Sequence, residues 1–151
     1  MLLNYLVKKV DMKKKTFKII LVILWMIVIF SFSNQKATES TELSDGFIKN
    51  TIGKVFKIEN KEELDKFITP VRKSAHFFIY LILGILVLNC FESINKYTIL
   101  YSIIICFLYS ISDEIHQLFV IGRSGEIKDV IIDTLGSTLG ITIYKWKVAK
   151  K

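Results

Sequence analysis

The chain has 151 residues, 52% of them hydrophobic, and its charges gather in blocks beside apolar runs, so an ordinary soluble domain is excluded. Its net charge of +7 does not indicate a nucleic-acid-binding protein, because the excess lysines flank apolar segments and neither a zinc-ligand spacing nor an RNA-binding aromatic motif is present.

The first predicted element is a membrane span over residues 17–33, preceded by a basic segment over residues 1–16. The run "FKIILVILWMIVIFSFS" has about the length needed to cross ~30 Å of hydrocarbon. A secretory signal peptide is the rival interpretation, because lysines precede the run. The run ends in Phe-Ser-Phe-Ser without a small-x-small cleavage site, which favours an uncleaved anchor.

A polar segment over residues 34–70 follows. Its apolar residues recur at helical spacing with charged residues between them: Leu43, Phe47, Ile48, Ile52, Val55 and Phe56. This pattern predicts an amphipathic helix that lies on the membrane surface or caps the helix bundle.

Three further spans are predicted over residues 71–91, 97–120 and 129–146, followed by a basic tail over residues 146–151. The fold class is therefore an all-α, four-transmembrane-helix bundle, with its membrane domain over residues 17–145. Gly136 and Gly140 form a small-xxx-small spacing that lets helices pack closely. Cys90 and Cys106 fall in apolar stretches and are predicted to be packing residues rather than a disulfide or a metal pair.

Lysines at both ends of the chain predict the orientation in the cell membrane. They are Lys8, Lys9, Lys13, Lys14, Lys15 and Lys18 at one end and Lys145, Lys147, Lys150 and Lys151 at the other. An even number of spans places both ends on the same side, and the positive-inside rule makes that side the cytoplasm. The segment 34–70 and the loop "GRSGE" then lie outside.

This topology predicts that ionisable residues of three helices meet at the outer membrane face. They are Arg72, Lys73 and His76 in the second span, Asp113, Glu114, His116 and Gln117 in the third, Arg123 in the outer loop, and Asp129 and Asp133 in the fourth. Spacings of three or four residues put the members of most of these sets on one helical face. A charge inside the hydrocarbon costs several kcal/mol unless it is paired or hydrated, so a shared site is expected.

The residue types suggest roles. The candidates for catalysis are His76, Asp113, His116 and Asp129; the candidates for ligand binding are Arg72, Lys73, Glu114, Gln117, Arg123 and Asp133; and the candidate metal ligands are His76, Asp113 and His116. No spacing is a diagnostic metal motif, so the cofactor stays open between none and a divalent metal. A purely structural ion-pair network is the alternative to a functional site.

Four other residues are predicted to lie outside the site. Glu126 and Lys128 are expected to be solvated loop charges, and Tyr80 and Gly84 to be helix-packing residues. Glu114 falls on a different face from Asp113, so it is expected to point to lipid headgroups or water.

The segments "FSNQ", "RKSAHFFIYLILG" and "YSISDEIHQLFVIGRSGEIKDVIIDTLGSTLG" resemble the VanZ-like family over about residues 17–145. The family pattern often has asparagine at the position of Asp133, with aspartate a common alternative. The resemblance implies a bacterial integral membrane protein, and the family's namesake is linked to resistance to the glycopeptide teicoplanin.

Three functions are compatible with the sequence. The first is binding of a lipid-linked or cell-wall-related molecule, or of a glycopeptide, through arginine and lysine contacts to its anionic groups. The second is a membrane-embedded hydrolase or transferase, with or without a metal, that acts on an outer-leaflet substrate. The third is a proton-coupled transporter, which is disfavoured because the charges gather at one end rather than at the midplane and no inverted repeat is visible. The lipid bilayer is the predicted partner, and the oligomeric state is not predicted.

Overall fold

The computed structural model describes residues 2–35, residue 46, residues 66–123 and residues 125–150. The described residues form four helices, with bounds α1 Leu2–Ser33, α2 Ile68–Asn89, α3 Lys96–Gln117 and α4 Ile127–Ala149. The predicted all-α helix bundle is confirmed. The amphipathic helix predicted over residues 34–70 lies almost entirely outside the described residues.

Three of the helices are long and apolar enough to cross a membrane: Met12–Ser33, Pro70–Asn89 and Lys96–Gln117. The chain is therefore a polytopic membrane protein. Helix α4 has 23 residues, about 35 Å at 1.5 Å per residue, and polar residues interrupt its apolar sequence. Two of these, Asp133 and Ser137, are fully buried against the other helices, so α4 does not present them to lipid.

Large apolar side chains are exposed on the outward faces of the bundle. Ile23 of α1, Ile104 of α3 and Leu135 of α4 each have at least two fifths of their surface uncovered, at 50%, 41% and 58%. Such a surface is unfavourable in water and suits a hydrocarbon surrounding.

Helices α2 and α4 pack at backbone contact. A Cβ atom on Gly136 would collide with the backbone carbonyl of Phe77, and one on Gly140 would collide with that of Leu81. Only glycine allows the two backbones to approach this closely. The tight packing predicted from "GSTLG" is confirmed, and Gly84 has the packing role expected of it, facing the Ser137 carbonyl.

Helix α1 is attached to α2 and α3 by side chains that donate to backbone carbonyls. The Trp25 indole N–H donates to the carbonyl of Ile79 at 2.9 Å, and the Tyr109 hydroxyl donates to the carbonyl of Met26 at 2.6 Å. The hydrophobic core between these helices contains Ile29, Tyr80, Leu83, Val87 and Cys106. Both cysteines are free, as the sequence predicts.

Short connections bring the polar helix ends together. Asn95 caps α3 by accepting from the backbone N–H groups of Tyr97 and Thr98, and the Thr98 hydroxyl accepts from the Asn95 N–H in return. Gly122, with φ of 78°, supplies the left-handed backbone in the turn between α3 and α4. Because short connections make consecutive helices antiparallel, the start of α2, the end of α3 and the start of α4 share one end of the bundle.

Candidate functional site

One end of the bundle holds a buried cluster of ionisable residues from three helices. His76 of α2, Asp113 and Glu114 of α3 and Asp133 of α4 each place a nitrogen or carboxylate oxygen within 4.8 Å of the others. Asp133, Asp113 and Glu114 are 0%, 2% and 5% exposed. Three carboxylates this close repel one another in a low-dielectric site, so protons or a cation must compensate their charges.

Each buried aspartate has one carboxylate oxygen that accepts hydrogen bonds and one that has no partner among the described residues. Asp113 Oδ2 accepts from the Ser33 hydroxyl at 2.8 Å and from the Gln117 amide at 3.3 Å. Asp133 Oδ2 accepts from the Ser110 hydroxyl at 3.2 Å. The Oδ1 atoms of both aspartates are buried without a hydrogen-bond partner among the described residues. His76 Nδ1, 3.7 Å from Asp133 Oδ1, is buried and unpartnered in the same way.

Glu114 links the end of α3 to the start of α4. Its Oε1 accepts from the Gln117 amide at 3.0 Å, and its Oε2 accepts from the backbone N–H of Glu126 at 2.9 Å. Glu114 therefore does not point to headgroups or water, which corrects the expectation from its position on the helix. The start of α4 therefore covers the face of α3 that carries Glu114.

A cavity of about 140 Å³ lies beside the cluster. Its lining residues are Arg72, Lys73, His76, Gln117, Gly122, Arg123, Glu126 and Asp129. His76 belongs to both the cavity and the cluster, and Gln117 lines the cavity while donating to Asp113 and Glu114. The cavity and the buried cluster are therefore parts of one site.

Lys73 is paired with carboxylates at the edge of the cavity. Its ammonium lies 2.7 Å from Asp129 Oδ1 and 3.2 Å from Glu126 Oε2. Both interactions are part-exposed and solvent screens them, so they position these side chains more than they stabilise the fold.

Arg123 is held by neutral groups. Its guanidinium donates to the backbone carbonyls of Gln35 and Phe32 at 2.9 and 3.1 Å and to the Gln117 side-chain oxygen at 3.2 Å. Burial and the nearby positive charge of Arg72 lower the pKa of Arg123, but its ordinary value is so high that it stays protonated. No carboxylate within the described residues forms an ion pair with it.

His116 stands apart from the other candidate residues. Its Nε2 lies 3.3 Å from Asn34 Oδ1, and its ring centroid is 4.4 Å from that of Phe30. It neither lines the cavity nor belongs to the His76, Asp113, Glu114 and Asp133 cluster. Of the three candidate metal ligands, the structure thus brings His76 and Asp113 together and leaves His116 at the end of α1.

Sequence reasoning missed three contributors to the site. Ser33 and Ser110 orient the two aspartates, and Glu126, which is exposed as expected, also contacts both Lys73 and Glu114. Tyr80 has its expected place in the core, but its hydroxyl is buried without a partner in the described residues. Ser110 has a usable signal, because it precedes Asp113 by three residues on the same helical face.

These features define a helical, polytopic membrane protein with a buried His/Asp/Glu cluster next to a cavity lined by arginine and lysine. Residues 17–148 match the model of the VanZ/LLP1 family, and the chain belongs to that family. The chain matches no curated protein and no solved structure.

Proposed function

We propose that the protein binds the anionic group of a lipid-linked or cell-wall-related molecule at the extracytoplasmic membrane face. The observation that carries this proposal is the cavity in which Arg72, Lys73 and Arg123 converge. Guanidinium groups bind phosphate and carboxylate oxygens through two parallel hydrogen bonds, and the ammonium group adds a point charge.

The cavity is lined by three cations and by two carboxylates, Glu126 and Asp129, both of which pair with Lys73, so Arg72 and Arg123 are the groups that favour an anion. The nearby charge of Arg72 disfavours that of Arg123, and an anion between them would relieve this repulsion. The cavity volume of about 140 Å³ is well below the ~300–1,000 Å³ of pockets that enclose a whole drug-sized ligand. The head of a larger molecule, such as a phosphate or carboxylate, fits this space, whereas its lipid or sugar portion stays outside.

The orientation is part of the proposal. Lysine clusters lie in the first half of α1, before its apolar run, and at the end of α4, and such clusters favour the cytoplasmic side. With both termini in the cytoplasm, the cavity faces the outside of the cell membrane, where cell-wall precursors and glycopeptides are found.

A direct binding experiment tests this function. Full-length protein in nanodiscs is titrated with polyprenyl phosphate, polyprenyl pyrophosphate and inorganic phosphate, with the uncharged polyprenol as the reference. We expect the phosphorylated lipids to bind at least tenfold more tightly than polyprenol, and Arg123→Gln to remove most of this difference. Lys96→Gln, an exposed lysine at the opposite end of the bundle, is the matched control. The proposal is contradicted if the phosphorylated lipids bind no more tightly than polyprenol. It is also contradicted if wild type and Arg123→Gln bind the phosphorylated lipids equally well.

In the cell, this binding would serve resistance to glycopeptides, and membership of the VanZ/LLP1 family supports that role. Expression in a susceptible bacterium should raise the inhibitory concentration of teicoplanin, and Arg123→Gln at equal protein level should not. An unchanged inhibitory concentration with the wild-type protein removes the resistance role but leaves anion binding to the test above.

A membrane-embedded hydrolase or transferase is the second candidate function. It is favoured by His76, which lines the cavity with the carboxylate of Asp133 3.7 Å from its Nδ1, because an imidazole beside a carboxylate is a residue pair suited to general acid–base catalysis. Incubation with polyprenyl pyrophosphate, followed by mass spectrometry of the products, tests this function. Product that forms with the wild-type protein and is lost in His76→Gln supports it, and the absence of product counts against it.

A further inference from the structure

We propose that His76, Asp113, Glu114 and Asp133 bind one divalent transition-metal ion. This site does not rest on the proposed function, because it is formed by the buried cluster and not by the arginine and lysine residues of the cavity. It could serve a binding protein or an enzyme equally well.

The spacing of the donor atoms fits a single ion. Metal–nitrogen and metal–oxygen bonds of about 2.0–2.2 Å place ligands on opposite sides of an ion about 4.2 Å apart. The donor atoms of the cluster lie within 4.8 Å of one another. Side chains that rotate toward the centre of the cluster would close the set around an ion.

The hydrogen bonds around the aspartates point to the same conclusion independently. Ser33 and Ser110 each hold the Oδ2 atom of one aspartate, which leaves Oδ1 of Asp113 and of Asp133 buried and unpartnered within the described residues. A buried oxygen without a donor costs about 1–3 kcal/mol. Polar neighbours that orient a ligand while leaving its donor atom open are typical of metal sites.

His76 and Glu114 complete the donor set. His76 Nδ1 is also buried and unpartnered in the described part of the chain, and a neutral imidazole nitrogen has the lone pair that a metal requires. The oxygens of Glu114 already accept one hydrogen bond each, but a carboxylate oxygen has a second lone pair available for an ion.

The donor types select the class of ion. Carboxylates suit Mg²⁺, Ca²⁺ and Mn²⁺, whereas imidazole suits Zn²⁺, Fe²⁺ and other transition metals. A set of one imidazole and up to three carboxylates, without a thiolate, therefore favours Mn²⁺, Fe²⁺ or Zn²⁺. The cavity beside His76 provides the entry path.

Metal analysis of the purified full-length protein tests the proposal without any substrate. The protein in detergent is treated with EDTA, reloaded with Mn²⁺ or Zn²⁺, freed of excess metal and analysed by mass spectrometry. We expect about one ion per chain in the wild type and at least a tenfold loss of affinity in Asp113→Asn and Asp133→Asn. Glu92→Gln, an exposed carboxylate at the other end of the bundle, is the matched control, and His116→Gln should also keep the ion.

A spectroscopic measurement guards against variants that fail to fold. Pulsed electron paramagnetic resonance of the Mn²⁺-loaded wild type should detect one coupled imidazole nitrogen, and this coupling should disappear in His76→Gln. A wild-type protein that retains no metal after reloading overturns the proposal, and protons then compensate the carboxylates. Metal retained equally by wild type, Asp113→Asn and Asp133→Asn, or bound without nitrogen coupling, also overturns it. None of these outcomes bears on anion binding by Arg123.

Discussion

Single hydroxyl groups determine how the buried carboxylates of this protein are oriented. The Ser33 hydroxyl comes from α1, and the Ser110 hydroxyl from α3, yet each donates to an aspartate on a different helix. These bonds join three helices at the level of the cluster. Their loss should affect both the stability of the bundle and the geometry of the proposed metal site.

Ser33→Ala tests this contribution. The substitution removes a donor to a buried carboxylate, which we expect to lower the free energy of unfolding by about 1–2 kcal/mol. The measurement is equilibrium unfolding in mixed detergent micelles. Ser31→Ala is the control, because the Ser31 hydroxyl is exposed and donates only to the carbonyl of Ile27 in its own helix; we expect a change within about 0.5 kcal/mol. Equal effects of the two substitutions would contradict the assignment.

The salt bridges of Lys73 with Glu126 and Asp129 are expected to affect ligand binding more than stability. Lys73→Gln removes two interactions whose partners are part-exposed, so we expect the free energy of unfolding to fall by less than about 1 kcal/mol. Affinity for a phosphorylated lipid should fall more clearly, because the cavity loses one of its positive charges. Unfolding and lipid-binding measurements on the same preparation separate these effects. A large stability loss with unchanged binding would show that Lys73 acts only in the fold.

The sequence indicates the candidate residues but not all of their orientations. Helical spacing and antiparallel order suffice to predict that Asp113 and Asp133 approach one end of the bundle. The rotation of α3 about its axis depends on the packing of α1 and α4, which no local pattern encodes. For this reason Glu114 is buried against the start of α4, and His116 contacts Asn34 and Phe30 instead of joining the cluster.

At the scale of the helices, backbone contact holds α2 and α4 together. Gly136 and Gly140 on α4 face carbonyls of α2 without space for a side chain. The same pair of helices carries His76 and Asp133. The separation of these two donor atoms therefore depends on how closely the two helices approach.

Gly140→Ala tests the close approach. The added methyl group must move the backbone of Leu81, which we expect to lower the free energy of unfolding by about 1–3 kcal/mol. Leu139→Ala is the control, because Leu139 is 43% exposed on the outer face and should change stability by no more than about 0.5 kcal/mol. The same micelle unfolding measurement applies. If Gly140→Ala leaves the free energy of unfolding unchanged, α2 and α4 can move apart without loss of stability, and the prediction is wrong.

The four helices of the described residues follow from the apolar runs, but the positions at which these helices begin and end do not. Helix α1 begins at Leu2, far before the apolar run, because lysine-rich sequences also favour helix once a turn has formed. Helix α3 ends at Gln117, and the apolar residues 118–120 form a turn. Hydropathy extends across such a turn and does not mark where helical backbone ends.

At the scale of the whole molecule, the proposed orientation has a direct test. In a chain carrying Cys90→Ser and Cys106→Ala, single cysteines are introduced as Lys128→Cys or Glu92→Cys, at exposed positions near opposite ends of the bundle. We expect a membrane-impermeant maleimide added to intact cells to label Lys128→Cys, and to label Glu92→Cys only after permeabilisation. The reverse pattern would place the cavity in the cytoplasm.

The pairing of Lys73 with Asp129 spans 56 residues of chain, and this separation has a consequence in time. At a synthesis rate of about 5–20 residues per second, α2 leaves the ribosome roughly 3–11 s before α4. During that interval the cationic start of α2 has no carboxylate from α4 to meet, so its lysine must extend to the membrane surface. Arrival of α4 then allows the Lys73 ammonium to move inward. Assembly of the site thus waits for the synthesis of α4, and a nascent chain that stalls before α4 should be an early target for membrane quality-control proteases.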